Sequence, residues 1–420
     1  NSIDPIYTPY ELISPTDFKK WSANQTFYMV AYDSKGEGYI KPANIVDSWM
    51  KWSDRREYPN GIIMDPLKPH DTDGHYNLFR GFPVKPEIKD WDLFDTLIRE
   101  GICNGDLTIY TFVLDWLASI FQKPGTRYGV ALVMRGNKGI GKGVFAKCIG
   151  ALLGNHYIAL SQESHLTGNF NSHLANKMLV LADELTWGGN KKNEGALKSL
   201  ITEDTIMIEP KGINAIPVKN HIRLLVASND DWAVPATAGE RRWCVLDCSD
   251  KFKDDTPFWD KLHDQMINGG TQGLMHHLLN RTITTDQRKA PKTKALAEIA
   301  TKGFTNIERW LFDSLSNAHF EVRQDGLYFS PNVWPKEITA DTLYSDYCYH
   351  FKSHCYHGYP DSKSILMKKL KHLLNLHEPK KKAFGNNNRC QVYNMPNLKK
   401  ARESFSQVTR LILDWPEIID

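Results

Sequence analysis

Val130-Ala131-Leu132-Val133-Met134-Arg135-Gly136-Asn137-Lys138-Gly139-Ile140-Gly141-Lys142-Gly143 is the stretch on which the fold turns. Its first five residues are a continuous apolar run flanked by Gly129 and Gly136, the pattern of a strand buried on both faces of a parallel sheet. From Gly136 the spacing is G-x-x-x-x-G-K, and a helical pattern from Val144 to Leu153 follows. Glycines let backbone N–H groups converge on phosphate oxygens, and the helix N-terminus adds a favourable dipole. Gly136, Asn137, Lys138, Gly139, Ile140, Gly141, Lys142 and Gly143 are the expected phosphate cradle. Lys142 would carry positive charge to the β- and γ-phosphates of ATP or another nucleoside triphosphate. One position departs from the pattern: a Ser or Thr that ligates Mg2+ usually follows the lysine. Gly143 has no side chain, so water or another group would have to supply that ligand.

Two more apolar runs, at 178–182 and 224–227, end in Asp183-Glu184 and Ser228-Asn229. Ligands of α/β sheets gather at such strand ends. Asp183 is expected to hold Mg2+ through water, Glu184 to activate an attacking water, and Asn229 to orient that water or sense the γ-phosphate. Between the runs, residues 205–208 and 213–218 flank Glu209-Pro210-Lys211-Gly212, which reads as a β-hairpin with Lys211 near its tip. Gly239-Glu240-Arg241-Arg242 comes next. Arg241 is the candidate to reach a neighbour's γ-phosphate in trans, and Arg242 is expected to pair locally.

Working outward, residues 107–123 carry a helical pattern that Pro124-Gly125 ends. Residues 1–100 are mixed and rich in aromatics, with a short amphipathic helix at 45–52 and no catalytic signature. A charged stretch at 286–294 reads as a linker. A helix near 295–316, β-like sequence near 319–330 and helices at 340–355 and 362–375 follow. The expected fold is α/β. It comprises an α-rich N-terminal connector over 1–106, a P-loop ATPase core with a parallel sheet over 107–285, a linker and helical region over 286–334, and a basic module over 335–420.

The formal net charge is only +3, but residues 361–403 hold eleven Lys and Arg against three Asp and Glu. Lys368, Lys369 and Lys371 on one helix, with Lys380-Lys381-Lys382 beyond it, make a plausible electrostatic footprint for nucleic acid; a solvated helix face is the alternative. Seven scattered cysteines, an odd number in a long chain, point to reduced thiols. Cys348-x-His350 and His354-Cys355-x-His357 are read as non-metal, because the helical pattern would spread them over several faces and neither spacing suits zinc. No apolar run approaches ~18 residues, so no membrane span is expected. The polar start Asn1-Ser2-Ile3-Asp4 carries no signal peptide and no Met, which suggests an excised fragment of a longer protein.

Phosphate loop, acidic pair, hairpin, Asn229 and Arg241 all fall within residues 136–242. That order resembles superfamily 3 helicases, a branch of the AAA+ ATPases, and most of all phage and plasmid primase-helicases. Matching segments include Tyr76-Asn77-Leu78-Phe79-Arg80-Gly81-Phe82, Trp116-Leu117-Ala118, Ala227-Ser228-Asn229 and Glu240-Arg241-Arg242-Trp243. The likeness extends to the C-terminal half of phage primase-polymerases, which implies that an N-terminal primase-polymerase half would be missing here. The resemblance implies an ATP-dependent DNA helicase or translocase that forms a homo-oligomeric, hexameric ring around single-stranded or double-stranded DNA. ATP and Mg2+ would lie between subunits, with Lys142, Asp183 and Glu184 acting in cis and Arg241 in trans. Lys211 at the hairpin tip, with Lys219 and His221 on the return, would track the DNA backbone in the channel. The basic C-terminal region is similar to a winged-helix module. A phage protein of this kind would work in the host cytoplasm. Gly143 keeps open a second function, a nucleotide- and DNA-binding ring scaffold with weak or no hydrolysis that tethers a primase-polymerase to its template.

Overall fold

The structure, a computed structural model, describes residues 13–417 except 69, 185–190, 210–213, 230–233, 235, 237–239, 322–332, 355, 357 and 385–387. At the N-terminal end Pro15–Trp21 (α1) starts on a Ser14 cap. Thr26–Tyr32 (β1) and Gly38–Asn44 (β2) pair as an antiparallel hairpin, and Asn44 caps Ile45–Met50 (α2). Ile62–Ile63 (β3), Asp71–Thr72 (β4) and His75–Asn77 (β5) form a small mixed sheet in the order β3-β5-β4. Among the described residues of the connector expected to be α-rich over 1–106, five short strands thus stand beside the helices. The aromatic and β-branched residues of Thr26–Tyr32 suit a pleated surface better than a helix.

Asp92–Thr96 (α3) runs on through a π-helical turn at Leu97–Ile102. Leu107–Gln122 (α4) then starts on Asp106, whose carboxylate accepts from Thr108 N and Ile109 N. Trp116 is buried in α4 and donates its indole N–H to Val130 O at 3.0 Å, which ties the helix to the segment leading into the sheet. Asp115 on the same helix is also buried. It accepts from Arg281 Nε at 2.7 Å and from the backbone N–H groups of Thr284 and Thr285, so its charge is matched on every side.

The central sheet follows. Ala131–Arg135 (β6) leads into Lys142–Leu153 (α5), then Tyr157–Leu160 (β7), Glu163–Thr167 (α6) and Leu179–Asp183 (β8). Lys191–Thr202 (α7) precedes the hairpin Thr205–Ile208 (β9) and Ile216–Lys219 (β10), and Arg223–Ser228 (β11) and Trp243–Asp247 (β12) complete the set. Five strands lie parallel in the order β12-β6-β11-β8-β7. Every residue of β6 and β11 is buried, which is why these runs read as unbroken apolar sequence. β11 sits between β6 and β8, with Ser228 level with Arg135 and Ala227 level with Asp183. The ends of all three strands thus meet at one edge.

Thr256–Gln265 (α8), Thr271–Asn280 (α9) and Lys294–Lys302 (α10) pack around this sheet. Residues 286–294 are not a free linker, because Gln287 is buried and α10, which follows directly, packs against β12. The single helix expected near 295–316 is two. Gly303 ends α10, and Thr305 starts Asn306–Asn317 (α11) with a reciprocal capping box to Glu308.

From α11 a second hydrophobic core begins. Glu337–Thr339 (β13), Ala340–Ser353 (α12), Lys363–Leu374 (α13), Lys380–Phe384 (β14), Asn388–Asn394 (β15) and Leu398–Thr409 (α14) surround Trp310, Tyr347 and Phe405. The three strands form an antiparallel sheet in the order β13-β15-β14. Most of the β-like sequence expected near 319–330 lies outside the described residues. The described cysteines are all free. No helix among the described residues is long and apolar enough to cross a membrane.

Candidate functional site

Gly136, Gly139 and Gly141 all take positive φ, which folds the loop after β6 back over the start of α5. Gly141 is the most constrained. Its φ is +100°, and a Cβ there would lie 2.4 Å from the Trp259 ring. No side chain caps α5, so its first-turn N–H groups face the cleft without a side-chain acceptor, the arrangement that suits an anion.

Lys142 points back under the loop. Its ammonium donates to Gly136 O at 2.6 Å, Asn137 O at 2.8 Å and Asn229 Oδ1 at 2.9 Å. Burial holds its pKa below the usual lysine value, against the pull of Cys248, Asp183 and Glu184. Asn229 bridges onward, its Nδ2 donating to Glu184 Oε1 at 3.1 Å. Lys138 Nζ lies 3.2 Å from the same carboxylate oxygen. Together Lys138 and then Asn229 hold the Glu184 carboxyl below the usual range. Glu184 also has a φ of +54°, rare for a residue with a Cβ. Its N–H donates to Ala227 O at 2.9 Å, which pins the strained turn to the neighbouring strand.

A cleft of about 470 Å³ brings together Lys138 through Gly143 with Asp183, Glu184 and Asn229. Of the expected cradle, Gly136 and Asn137 sit behind it, with Asn137 Nδ2 bonded to Asp250 at 2.7 Å. Gly143 is exposed at the second position of α5, with nothing within 4 Å of a Cβ built on it. Three features escaped the sequence reading. Trp259 and Lys147 also line the cleft. Arg135, immediately before the loop, makes a two-pronged ion pair with Asp247 and a bond to Glu298 of α10 at 2.6 Å. A tryptophan in a later helix and a charge triad of wide separation leave no local signature.

Arg241 does not line the cleft. It is exposed, and its N–H donates to Glu240 Oε1 at 2.8 Å. Arg242, which pairs with the same glutamate at 3.1 Å, offers its carbonyl to Ala131 N at the start of β6. Arg241 therefore sits at the opposite end of the strands from the loop, about 20 Å away at ~3.3 Å per residue, too far to reach its own cleft. Lys219 is exposed on β10, and Lys211 lies outside the described residues. The expectation for His221 is corrected. It is buried, with one ring nitrogen 3.0 Å from Pro124 O and the other 2.9 Å from Met64 O, so it ties loops together and cannot touch DNA.

In the second core Lys368 is exposed, while Lys371 is matched by Glu378 at 2.7 Å. Lys380 and Lys381 are exposed on β14, and the Lys382 side chain lies outside the described residues. Of the Cys and His residues expected to spread over several faces, His350 and His354 share one. Four residues apart at the end of α12, their rings stack with centroids 3.9 Å apart. Cys355 and His357 lie outside the described residues.

A family model described as a family of unknown function, DUF5906, matches residues 134–242. The DNA primase-polymerase of Nitratiruptor phage NrS-1 is 26% identical over 263 residues, 59% of this chain and 36% of that protein. The chain thus spans about a third of the length of the curated relative it matches. An apo structure of the NrS-1 C-terminal region aligns with a TM-score of 0.62 at 18% identity, covering 92% of this chain and 100% of that one. A further apo form of the same region gives 0.63 at 17% identity over 91% and 98%. In sequence the chain is similar to part of a phage primase-polymerase, and it shares the fold of that protein's C-terminal region.

Proposed function

We propose that this chain is the nucleotide-driven, DNA-translocating module of a phage replication protein, working as a ring. The observation that carries the reading is the chain of contacts Lys142–Asn229–Glu184 across the ends of three adjacent parallel strands, beside an uncapped helix N-terminus. ATP fits this donor set. The α5 N–H groups and Lys142 would take its phosphates, and Asp183, at the end of β8, would hold Mg2+ through water. Bound metal would neutralise charge on the phosphates. Glu184 stays ionised beside Lys138 and is a weak proton acceptor, so its contribution is to orient a water through its carboxylate, with Asn229 holding it in place. The parallel sheet with its loop supports an AAA+ assignment. In the second core, the order α11-β13-α12-α13-β14-β15 supports a winged-helix assignment, with Lys368, Lys380 and Lys381 toward the phosphate backbone of single- or double-stranded DNA. Charge without base-reading groups favours sequence-independent contacts.

The deciding measurement is ATP hydrolysis with and without single-stranded DNA, for wild type and Lys142→Ala. DNA-stimulated hydrolysis that Lys142→Ala abolishes is the expected result; no hydrolysis in wild type with Mg2+ and DNA removes the motor. Gly143 favours a second reading, a nucleotide- and DNA-binding ring that tethers its polymerase without unwinding. Measurable nucleotide binding with negligible strand displacement would select it.

A further inference from the structure

We infer that Asp313, His350 and His354 form a binding site for one divalent transition-metal cation of the zinc class, joining α11 to the end of α12 in the second core. One ligand atom from each of the three residues can be chosen so that all lie within 4.8 Å of one another. His350 Nε2 and Asp313 Oδ2 are already 3.0 Å apart. Ligand atoms about 2.0–2.2 Å from a tetrahedral ion are about 3.4 Å from each other, so the pair needs little adjustment. His354 is exposed at the end of α12, its ring stacked on that of His350.

The nitrogen chemistry supports the same reading. His354 Nδ1 lies 3.0 Å from His350 O, a carbonyl that can only accept, so Nδ1 carries the proton and Nε2 keeps its lone pair. His350 is 4% exposed, its Nε2 faces the Asp313 carboxylate and its ring stacks on that of His354. Two imidazoles and one carboxylate make a nitrogen–oxygen donor set that suits Zn2+, Co2+ or Ni2+ over Mg2+. Three protein ligands leave a coordination position for water. The consequence is structural: the cation staples two helices of a small core, and its binding energy adds to the stability of that core.

The test uses the full chain, stripped with chelator and titrated with Co2+ without nucleotide. Wild type is expected to take up one Co2+ per chain with a visible ligand-field band, displaced by Zn2+ and not by excess Mg2+. His354→Ala, at an exposed position, and Asp313→Asn, which keeps the side-chain shape, are each expected to weaken Co2+ binding about tenfold or more. Circular dichroism matching wild type shows that the variants are folded. Absence of the band in wild type, or wild-type affinity in either variant, overturns the assignment.

Discussion

Asn229 Oδ1 accepts a hydrogen bond from Lys142 Nζ at 2.9 Å while the same amide donates to Glu184. One side chain thus sets the spacing between an ammonium at the start of α5 and a carboxylate just past the end of β8. Asn229→Ala is expected to slow hydrolysis about a hundredfold, a common cost of removing one oriented polar group. Nucleotide affinity should change by less than about tenfold. Single-turnover rates and equilibrium titration separate the two, and equal losses in both would assign Asn229 to binding alone.

Gly143 stands in open space, so a side chain fits there. Gly143→Ser is expected to leave the thermal midpoint unchanged or slightly raised, since Gly is about 0.5 kcal/mol poorer than Ser within a helix. It should also raise the Mg2+-dependent rate by supplying the missing hydroxyl. Steady-state ATPase assays over a Mg2+ range check this; a rate no higher than wild type would mean that another group already fills the position.

Gly141 is the opposite case. Alanine there meets both a φ of +100° and the Trp259 ring at 2.4 Å. Gly141→Ala is expected to weaken nucleotide binding at least about tenfold, through ~1–3 kcal/mol of strain in the loop. Combining it with Trp259→Ala removes the clash and leaves the backbone penalty, so partial recovery in the double variant apportions the two. Undiminished affinity in the single variant would mean that the loop relaxes without cost.

His156 predicts acid sensitivity. The ring is buried against Phe79, with centroids 5.0 Å apart, and its Nδ1–H donates to Asn176 O at 2.7 Å. Burial lowers its pKa from 6.5 to about 4. The unfolded chain therefore binds the extra proton first as pH falls. This stability contribution is complete above pH 6.5 and is lost progressively down to pH 4, about 3 kcal/mol in all at ~1.4 kcal/mol per pKa unit. Urea unfolding at pH 7 and pH 4.5 should show a steeper loss in wild type than in His156→Gln. Parallel losses would move the acid response to other groups.

Much of the sheet was legible because residues 131–134 of β6, 179–182 of β8 and 224–227 of β11 are buried and form apolar runs. The loop was legible because positive φ at Gly139 and Gly141 restricts the residue choice. What escaped was non-local. β7, an edge strand, shows only two of its four residues buried, and its sequence carries little signal. The Arg135–Asp247–Glu298 triad joins residues more than a hundred positions apart. His221 was misjudged because the resemblance placed it on the return of the hairpin, whereas both its ring nitrogens lie against loop carbonyls. The neighbourhood of Asp313 with His350 and His354 left no sequence signal either, because the carboxylate comes from another helix.

Arg241 lies at the far end of the strands from its own cleft, joined to the start of β6 through its neighbour's carbonyl. On the reading proposed above, each subunit therefore offers an arginine on one surface and a cleft on another, and the contact between copies is head to tail. A single chain then has no finished site. An open row of any length always leaves one cleft unserved, and only closure brings the two numbers level. Turnover per chain should consequently depend on protein concentration, steeply where rings assemble and flatly once they are closed.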